Sequence, residues 1–311
     1  MPLRLLLLFA GLEDGLEGWP DGRSLAMQRL AGSHVLGHIL NQLSDLPVDE
    51  IILVLEQGEP ALSAWCAAQL PGVAVHLQQV GPQRNPWQAL ASHPDLPGDG
   101  PLLLVLGDRI IEALFAEAAR TTIYTMSQPQ DAFSPVLPAT KLPSGSLWAG
   151  ACFFGSGAEL LEALAGRGNS APTAETVFSS LYQNKPAPAE AMATMALGIN
   201  SAEGLLYANA RLLGLGYGTE DAIERSYVED FTVIPPVYLH DTAVIENAVV
   251  GPFANVEAGA RIRDSVVRNS LVGIDAAVEN AVLDGSMIGD RAIVHGRATT
   301  VTVATDTELS A

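Results

Sequence analysis

The sequence predicts an α/β domain built on a mostly parallel sheet, followed by a parallel β-helix. Two observations carry this. Apolar strand-like runs alternate with helical stretches through the first two-thirds of the 311 residues, as a sheet covered on both faces requires. After Asp230 that pattern gives way to an apolar residue every six positions, the period of a coil of three short strands. The division is placed at 1–232 and 233–311. Hydrophobic residues make up 48% of the chain and charged residues 16%, which provides a sizeable core and argues against global disorder.

Leu3–Ala10 is a near-continuous apolar run and reads as a buried strand. Further strands are predicted at Glu50–Leu55, Val73–Leu77, Leu102–Leu106, Thr121–Met126 and Ala149–Phe154. Helices are predicted at His34–Leu43, Pro60–Gln69, Ile110–Ala119, Ala158–Ala165 and Ala174–Tyr182. Ala202–Leu213 is a further helix, with Ser201 as its N-cap. Ligands in such folds gather at the carboxyl ends of the strands. FTVIPPVYLH, 231–240, carries two prolines and reads as a linker or entry turn. The six-residue series then runs Val244, Val250, Val256, Ile262; Arg268 breaks it and Ile274 resumes it. A one-residue shift gives Ala281, Met287 and Ile293, while Ala248, Ala254 and Ala260 place a small residue four positions after each repeat start.

A formal net charge of −19 repels nucleic acid and anionic membranes at long range. The run Leu3–Ala10 is too short to span a bilayer, and the acidic residues after it do not suit a signal peptide. Cys66 and Cys152 form no CxxC pair and no disulfide framework. A cytoplasmic protein is expected, with no nucleic-acid or membrane partner.

The order of four segments resembles the sugar-1-phosphate nucleotidyltransferases that carry a left-handed β-helix. These are LLLVLGD at 102–108, WAGACFF at 148–154, LGINSAEGLLYANARLL at 197–213 and the repeats. LAGSHVLGHIL at 30–40 is similar to that family's V-A-G-K-P-L-L-E-H-V-L segment. The resemblance implies a Rossmann-like nucleotidyltransferase domain that joins an NTP to a sugar-1-phosphate with release of pyrophosphate. It implies Mg²⁺ on Asp108, at the end of the central strand, where a carboxylate suits an ion that takes few protein ligands. Read without the family, Asp108 is an N-cap for the helix predicted at Ile110–Ala119. The family's second ligand matches Asn200 in the uridylyltransferase type; in the thymidylyltransferase type it would fall near Gly198, which has no ligating group. Asp108 with Asn200 is therefore the metal pair the resemblance implies.

The first loop departs from that family. Its L-x-A-G-x-G-T-R-[LM] segment cradles a triphosphate with backbone N–H groups and an arginine, and a K-P lysine follows. Here Ala10 and Gly11 are followed by LEDGLEGWPDGRS, with Glu13, Asp14 and Glu17 in the loop. Leu25 stands where the lysine belongs, and Arg23 and Arg29 are the nearest cations. In the base loop, QQVGPQRNPWQAL at 78–90, Gln78 or Gln79 is left to meet a base edge, but Asn85–Pro86 replaces Gly-Thr. Losing one preorganised donor costs roughly 10²–10³ in rate, so losing both cations costs on the order of 10⁴ or more.

Three functions remain open. A non-catalytic relative would serve as a regulatory, sugar-phosphate-sensing or scaffold subunit. A working enzyme would use Arg23 or Arg29 in catalysis, with Gly11 and Gln79 binding the nucleotide and Mg²⁺ on Asp108 and Asn200. An acyltransferase would use His240 or His295 of the β-helix as a base. His34 and His38, one helical turn apart, read as a metal pair or as an ordinary helix surface. A homo-oligomer, a trimer or a multiple of it, is expected through the β-helix, whose few coils bury little core. The tail TTVTVATDTEL reads as an added strand.

Overall fold

The computed structural model describes residues 3–12, 24–82, 85–115, 120–126, 140–165, 171–183, 186–219 and 231–296. In chain order the α/β region runs β1 (Leu3–Leu8), a 3-10 turn at Leu25–Met27, a small hairpin of β2 (Arg29–Leu30) and β3 (Ser33–His34), α1 (Val35–Asn41), β4 (Val48–Leu55), α2 (Pro60–Gln69) and β5 (Ala74–Gln79). It continues with α3 (Pro86–Ser92), β6 (Leu102–Leu106), β7 (Arg109–Ala113), β8 (Thr122–Met126), β9 (Leu147–Phe154), α4 (Gly157–Ala165), α5 (Ala174–Gln183), β10 (Ala189–Gly198) and α6 (Ala202–Gly214). By its contacts the chain divides into two compact units, Met1–Ala208 and Asn209–Ala311.

In the first unit eight strands form one sheet in the order β5-β4-β1-β6-β9-β8-β10-β7. β1 pairs in parallel with β4 and with β6, which makes it an interior strand, and its leucines are buried. β4 with β5 and β8 with β10 are also parallel, whereas β9 runs against both β6 and β8. The α/β layering expected from the sequence is therefore present, with antiparallel strands inserted beyond β6.

Two differences bear on the site. The helix expected at Ile110–Ala119 is instead strand β7, which pairs antiparallel with β10 from Arg109↔Gly198 to Ala113↔Ala193. Two consecutive β-branched residues, Ile110 and Ile111, suit a strand buried against a neighbour better than a helix. β10 itself has no counterpart among the strands predicted from sequence, because AEAMATMALG is built from alanine and methionine, which carry weak strand preference. Helix α3 is likewise unpredicted, although Asn85 accepts a hydrogen bond from the Gln88 N–H at 2.9 Å and Pro86 opens the helix.

In the second unit, strands β11 (Thr232–Val233), β12 (Tyr238–Leu239), β13 (Val244–Glu246), β14 (Val249–Val250), β15 (Asn255–Val256) and β16 (Arg261–Arg263) begin a parallel β-helix. β17 (Val266–Arg268), β18 (Leu271–Val272), β19 (Ala277–Glu279), β20 (Val282–Asp284), β21 (Met287–Ile288) and β22 (Ile293–His295) complete it. They stack as three four-stranded sheets, and no helix follows Pro236 among the described residues. The spacing is not a constant six. Val244 pairs with Arg261, 17 residues on, and Arg261 with Ala277, 16 on. The inward series, spread over the three sheets, is Ile245, Val250, Val256, Ile262, Val267, Val272 and Val278, all buried, so steps of five are mixed with steps of six. The shorter steps turn at Asn247, Asp264 and Asn269, and Asn280 follows the series; their φ angles of 47°, 48°, 45° and 52° lie in the left-handed region that Asn and Asp tolerate. This explains the apparent break at Arg268: the core position there is Val267. Val244 and Ile293, repeat positions in the six-residue series, point outward and are exposed. The tail TTVTVATDTEL lies outside the described residues.

Candidate functional site

The carboxyl ends of β1, β6 and β10 share one edge of the sheet. The Gly107 N–H donates to the Leu8 carbonyl at 2.8 Å, and the Ile199 N–H donates to the Asp108 carbonyl at 2.8 Å. Gly11, Asp108 and Asn200 therefore follow three strands that end on the same edge.

At Gly11 the backbone is already engaged. Its N–H donates to Glu56 Oε1 at 2.9 Å, so a carboxylate takes the donor that an anion-cradling loop would offer. Its φ is +75°, and a Cβ there would lie 2.4 Å from the Asn85 carbonyl carbon and 2.7 Å from the Pro86 nitrogen. The base loop thus packs directly on the end of β1. Behind it Trp87 enters an aromatic cluster with Trp148, at 5.4 Å between ring centroids, and with Phe178, at 5.8 Å. Gln79 ends β5 with its amide against Gly58, near the start of α2.

Asp108 is the most constrained residue of the edge. Arg109 Nε donates to its Oδ1 at 2.6 Å and Arg109 Nη2 to its Oδ2 at 2.9 Å. The two side chains are only 4% and 2% exposed. The Arg109 guanidinium also lies 5.8 Å from the centroid of the Trp148 ring, within cation–π range. Asn200 Oδ1 is buried and meets no hydrogen-bond donor among the described residues. A Mg²⁺ ion needs carboxylate oxygens at about 2.0–2.1 Å in near-octahedral geometry. With both Asp108 oxygens on Arg109, these residues do not fit one. Among the described residues no group of three or more His, Cys, Asp and Glu side chains could hold a metal either.

Of the other candidates, Arg29 lies in β2 opposite His34, and Arg23 falls outside the described residues together with Glu13, Asp14 and Glu17. Leu25, in the lysine's place, is fully buried. His38 is buried, its Nε2 2.7 Å from the Leu30 carbonyl, and burial lowers its pKa more than that bond raises it. His34, just before α1, meets the edge of Trp65 at 5.7 Å between centroids, so the two histidines face different neighbours. In the second unit His240 Nδ1 lies 3.0 Å from Thr242 Oγ1, and His295 Nδ1 lies 3.3 Å from Glu279 Oε2. Sequence reasoning missed Glu56, Arg109, Trp148 and Gly150. Of these only Trp148 and Gly150, inside WAGACFF, fall in a segment that the family resemblance singles out.

No protein-family model and no curated protein matches this sequence. Solved structures do. The nucleoside-diphosphate-sugar pyrophosphorylase from Vibrio cholerae RC9 superposes with a TM-score of 0.50 at 11% identity, covering 64% of this chain and 97% of its own. A protein described as a glucose-1-phosphate thymidylyltransferase from Bacillus anthracis, in complex with a sucrose, gives 0.51 at 12% identity, covering 67% and 94%. Almost all of each neighbour thus finds a counterpart within about two-thirds of this chain. At such identities the likeness is one of fold, and the fold is that of the sugar-1-phosphate nucleotidyltransferases.

Proposed function

We propose that this chain is a catalytically degenerate nucleotidyltransferase-like protein, acting as a regulatory, sugar-phosphate-sensing or scaffold subunit. The observation that supports it is the engagement of Gly11: its N–H is given to Glu56 and its other side to Asn85–Pro86. A triphosphate would have to displace the Glu56 carboxylate and part Gly11 from Asn85–Pro86 before it could use the Gly11 N–H. The loop that follows is acidic, and like charges at short range add repulsion. The ligand assigned is accordingly a sugar phosphate, without Mg²⁺ at Asp108.

The reading includes assembly as a trimer, or a multiple of it, through the β-helix. Its support is the outward apolar column Val249, Val266 and Val282, of which Val282 is 74% exposed. No helix of the described residues is long and apolar enough to cross a membrane, and the cytoplasm is the compartment assigned. The test is pyrophosphate release across a matrix of NTPs and sugar-1-phosphates with Mg²⁺, beside calorimetric titration of each ligand alone. The expected result is no turnover. A kcat in the ordinary range of about 1–10³ s⁻¹, lost in Asp108→Ala, would overturn the proposal and establish the alternative: an active enzyme forming an NDP-sugar, with Arg23 or Arg29 as its cation.

A further inference from the structure

We infer that Arg109 is this protein's built-in cation, occupying Asp108 in place of a divalent metal and closing that carboxylate to metal binding. The geometry is a bidentate fork, with Nε on Oδ1 at 2.6 Å and Nη2 on Oδ2 at 2.9 Å. A planar guanidinium matched to both oxygens leaves neither of them aimed at a second cation. The arrangement is also built from outside the pair. Trp148 supplies a ring face to the guanidinium. Gly150 supplies a passage for the stem: a Cβ there would stand 2.2 Å from Arg109 Cδ and 2.8 Å from Nε, so only glycine lets the side chain fold back. Below the carboxylate, the bond from the Ile199 N–H fixes the Asp108 backbone. A surface arginine paired by chance would have none of these supports.

Asn200 Oδ1 gives the inference a measurable edge. It is a buried oxygen that meets no donor among the described residues, and the residue before it, Ile199, bonds the Asp108 carbonyl. Removing the guanidinium would leave the Asp108 carboxylate buried without its compensating charge, and such oxygen ligands are the kind a hard divalent cation takes. The wild-type chain therefore suppresses a cation site that a single substitution opens.

The experiment is Mn²⁺ binding to the full chain, followed by the loss of the free-ion EPR signal, in wild type, Asp108→Asn, Arg109→Ala and the double variant. Wild type and Asp108→Asn are expected to bind alike, through weak surface carboxylates alone. Arg109→Ala is expected to gain a site at least tenfold tighter, and Asp108→Asn in that background to remove it. Arg109→Gln serves the same comparison if the alanine variant does not fold. A tenfold loss of Mn²⁺ affinity in Asp108→Asn against wild type, or a folded Arg109 variant without a gained site, would overturn the inference. It stands apart from the proposed function. Pyrophosphate release that survives Asp108→Ala would refute that proposal and leave this one intact, whereas Mn²⁺ on wild-type Asp108 with no turnover would overturn this one and leave catalytic degeneracy standing.

Discussion

Replacing Gly150 by alanine tests how tightly the edge of the sheet is built around Arg109. Two costs combine. The backbone at Gly150 has φ +109°, where an L side chain is strained by about 1–3 kcal/mol. The new Cβ would also stand 2.2 Å from Arg109 Cδ, so the arginine must leave Asp108. Breaking a buried ion pair by displacing one partner costs about 3–5 kcal/mol. The sum, about 4–8 kcal/mol, is comparable with the whole stability of a typical domain at about 5–15 kcal/mol. Gly145 provides the control, since its φ of +96° is similar and a Cβ there meets nothing within 4 Å. Gly145→Ala should cost only the backbone share. Urea unfolding followed by tryptophan fluorescence reads the right unit, because Trp19, Trp65, Trp87 and Trp148 all precede Asn209. If Gly150→Ala and Gly145→Ala agree within about 0.5 kcal/mol, Arg109 is not threaded over Gly150 and the reasoning fails. A cycle with Arg109→Ala sharpens the result: once the clashing side chain is gone, the alanine at position 150 should add only its backbone strain.

Two further outcomes follow from other regions of the chain. Burial holds the His38 pKa below its usual 6.5, so the unfolded chain takes up that proton first as pH falls. This contribution is complete above about pH 6.5 and shrinks on acidification below it; His38→Gln should therefore narrow the stability gap between pH 7.5 and 5 relative to wild type, and a gap that widens would contradict the assignment. At the β-helix corner of Asn280, with φ +52°, Asn280→Gly should be nearly neutral and Asn280→Val should cost about 1–2 kcal/mol. Thermal melts of the two variants followed by circular dichroism would separate them, and equal melting points would mean the corner is not held in the left-handed region.

The strands that the sequence revealed are those whose environment matches their composition. LRLLLL and LLLVL are almost wholly apolar and buried, and both lie inside the sheet between paired neighbours. Where composition and environment diverge, the sequence misleads. AEAMATMALG carries no β-branched residue apart from one threonine, and it becomes a strand because β8 and β7 flank it. RIIEA reads as the start of a helix because alanines and a phenylalanine follow it, but pairing with β10 overrides that preference. In the β-helix the period is visible in the sequence and its phase is not. Ile245 and Val244, or Val294 and Ile293, are adjacent and equally apolar, so only the corner residues tell which of the two faces inward. Asn247, Asp264 and Asn280 are that signal.

The site poses a harder case, because its decisive contact joins neighbours in the chain. Successive residues of a strand point to opposite faces, so Arg109 would be expected to leave Asp108 behind. It folds back because Gly150 and Trp148, some 40 positions later, leave room for its stem and a face for its charge. Neither condition is local, and no pattern around position 108 announces it. The consequence explains the edge as a whole. Asp108 is buried, and a buried carboxylate without a partner is costly enough to destabilise the fold. In a protein that kept its metal, the ion would supply the compensating charge. Here Glu56 has taken the Gly11 donor, and the compensation comes from the next residue in the chain. Asp108 is then needed for Arg109 as much as Arg109 for Asp108. The pair is expected to behave as one unit, each single removal costing more than the joint replacement of both by apolar residues of similar size.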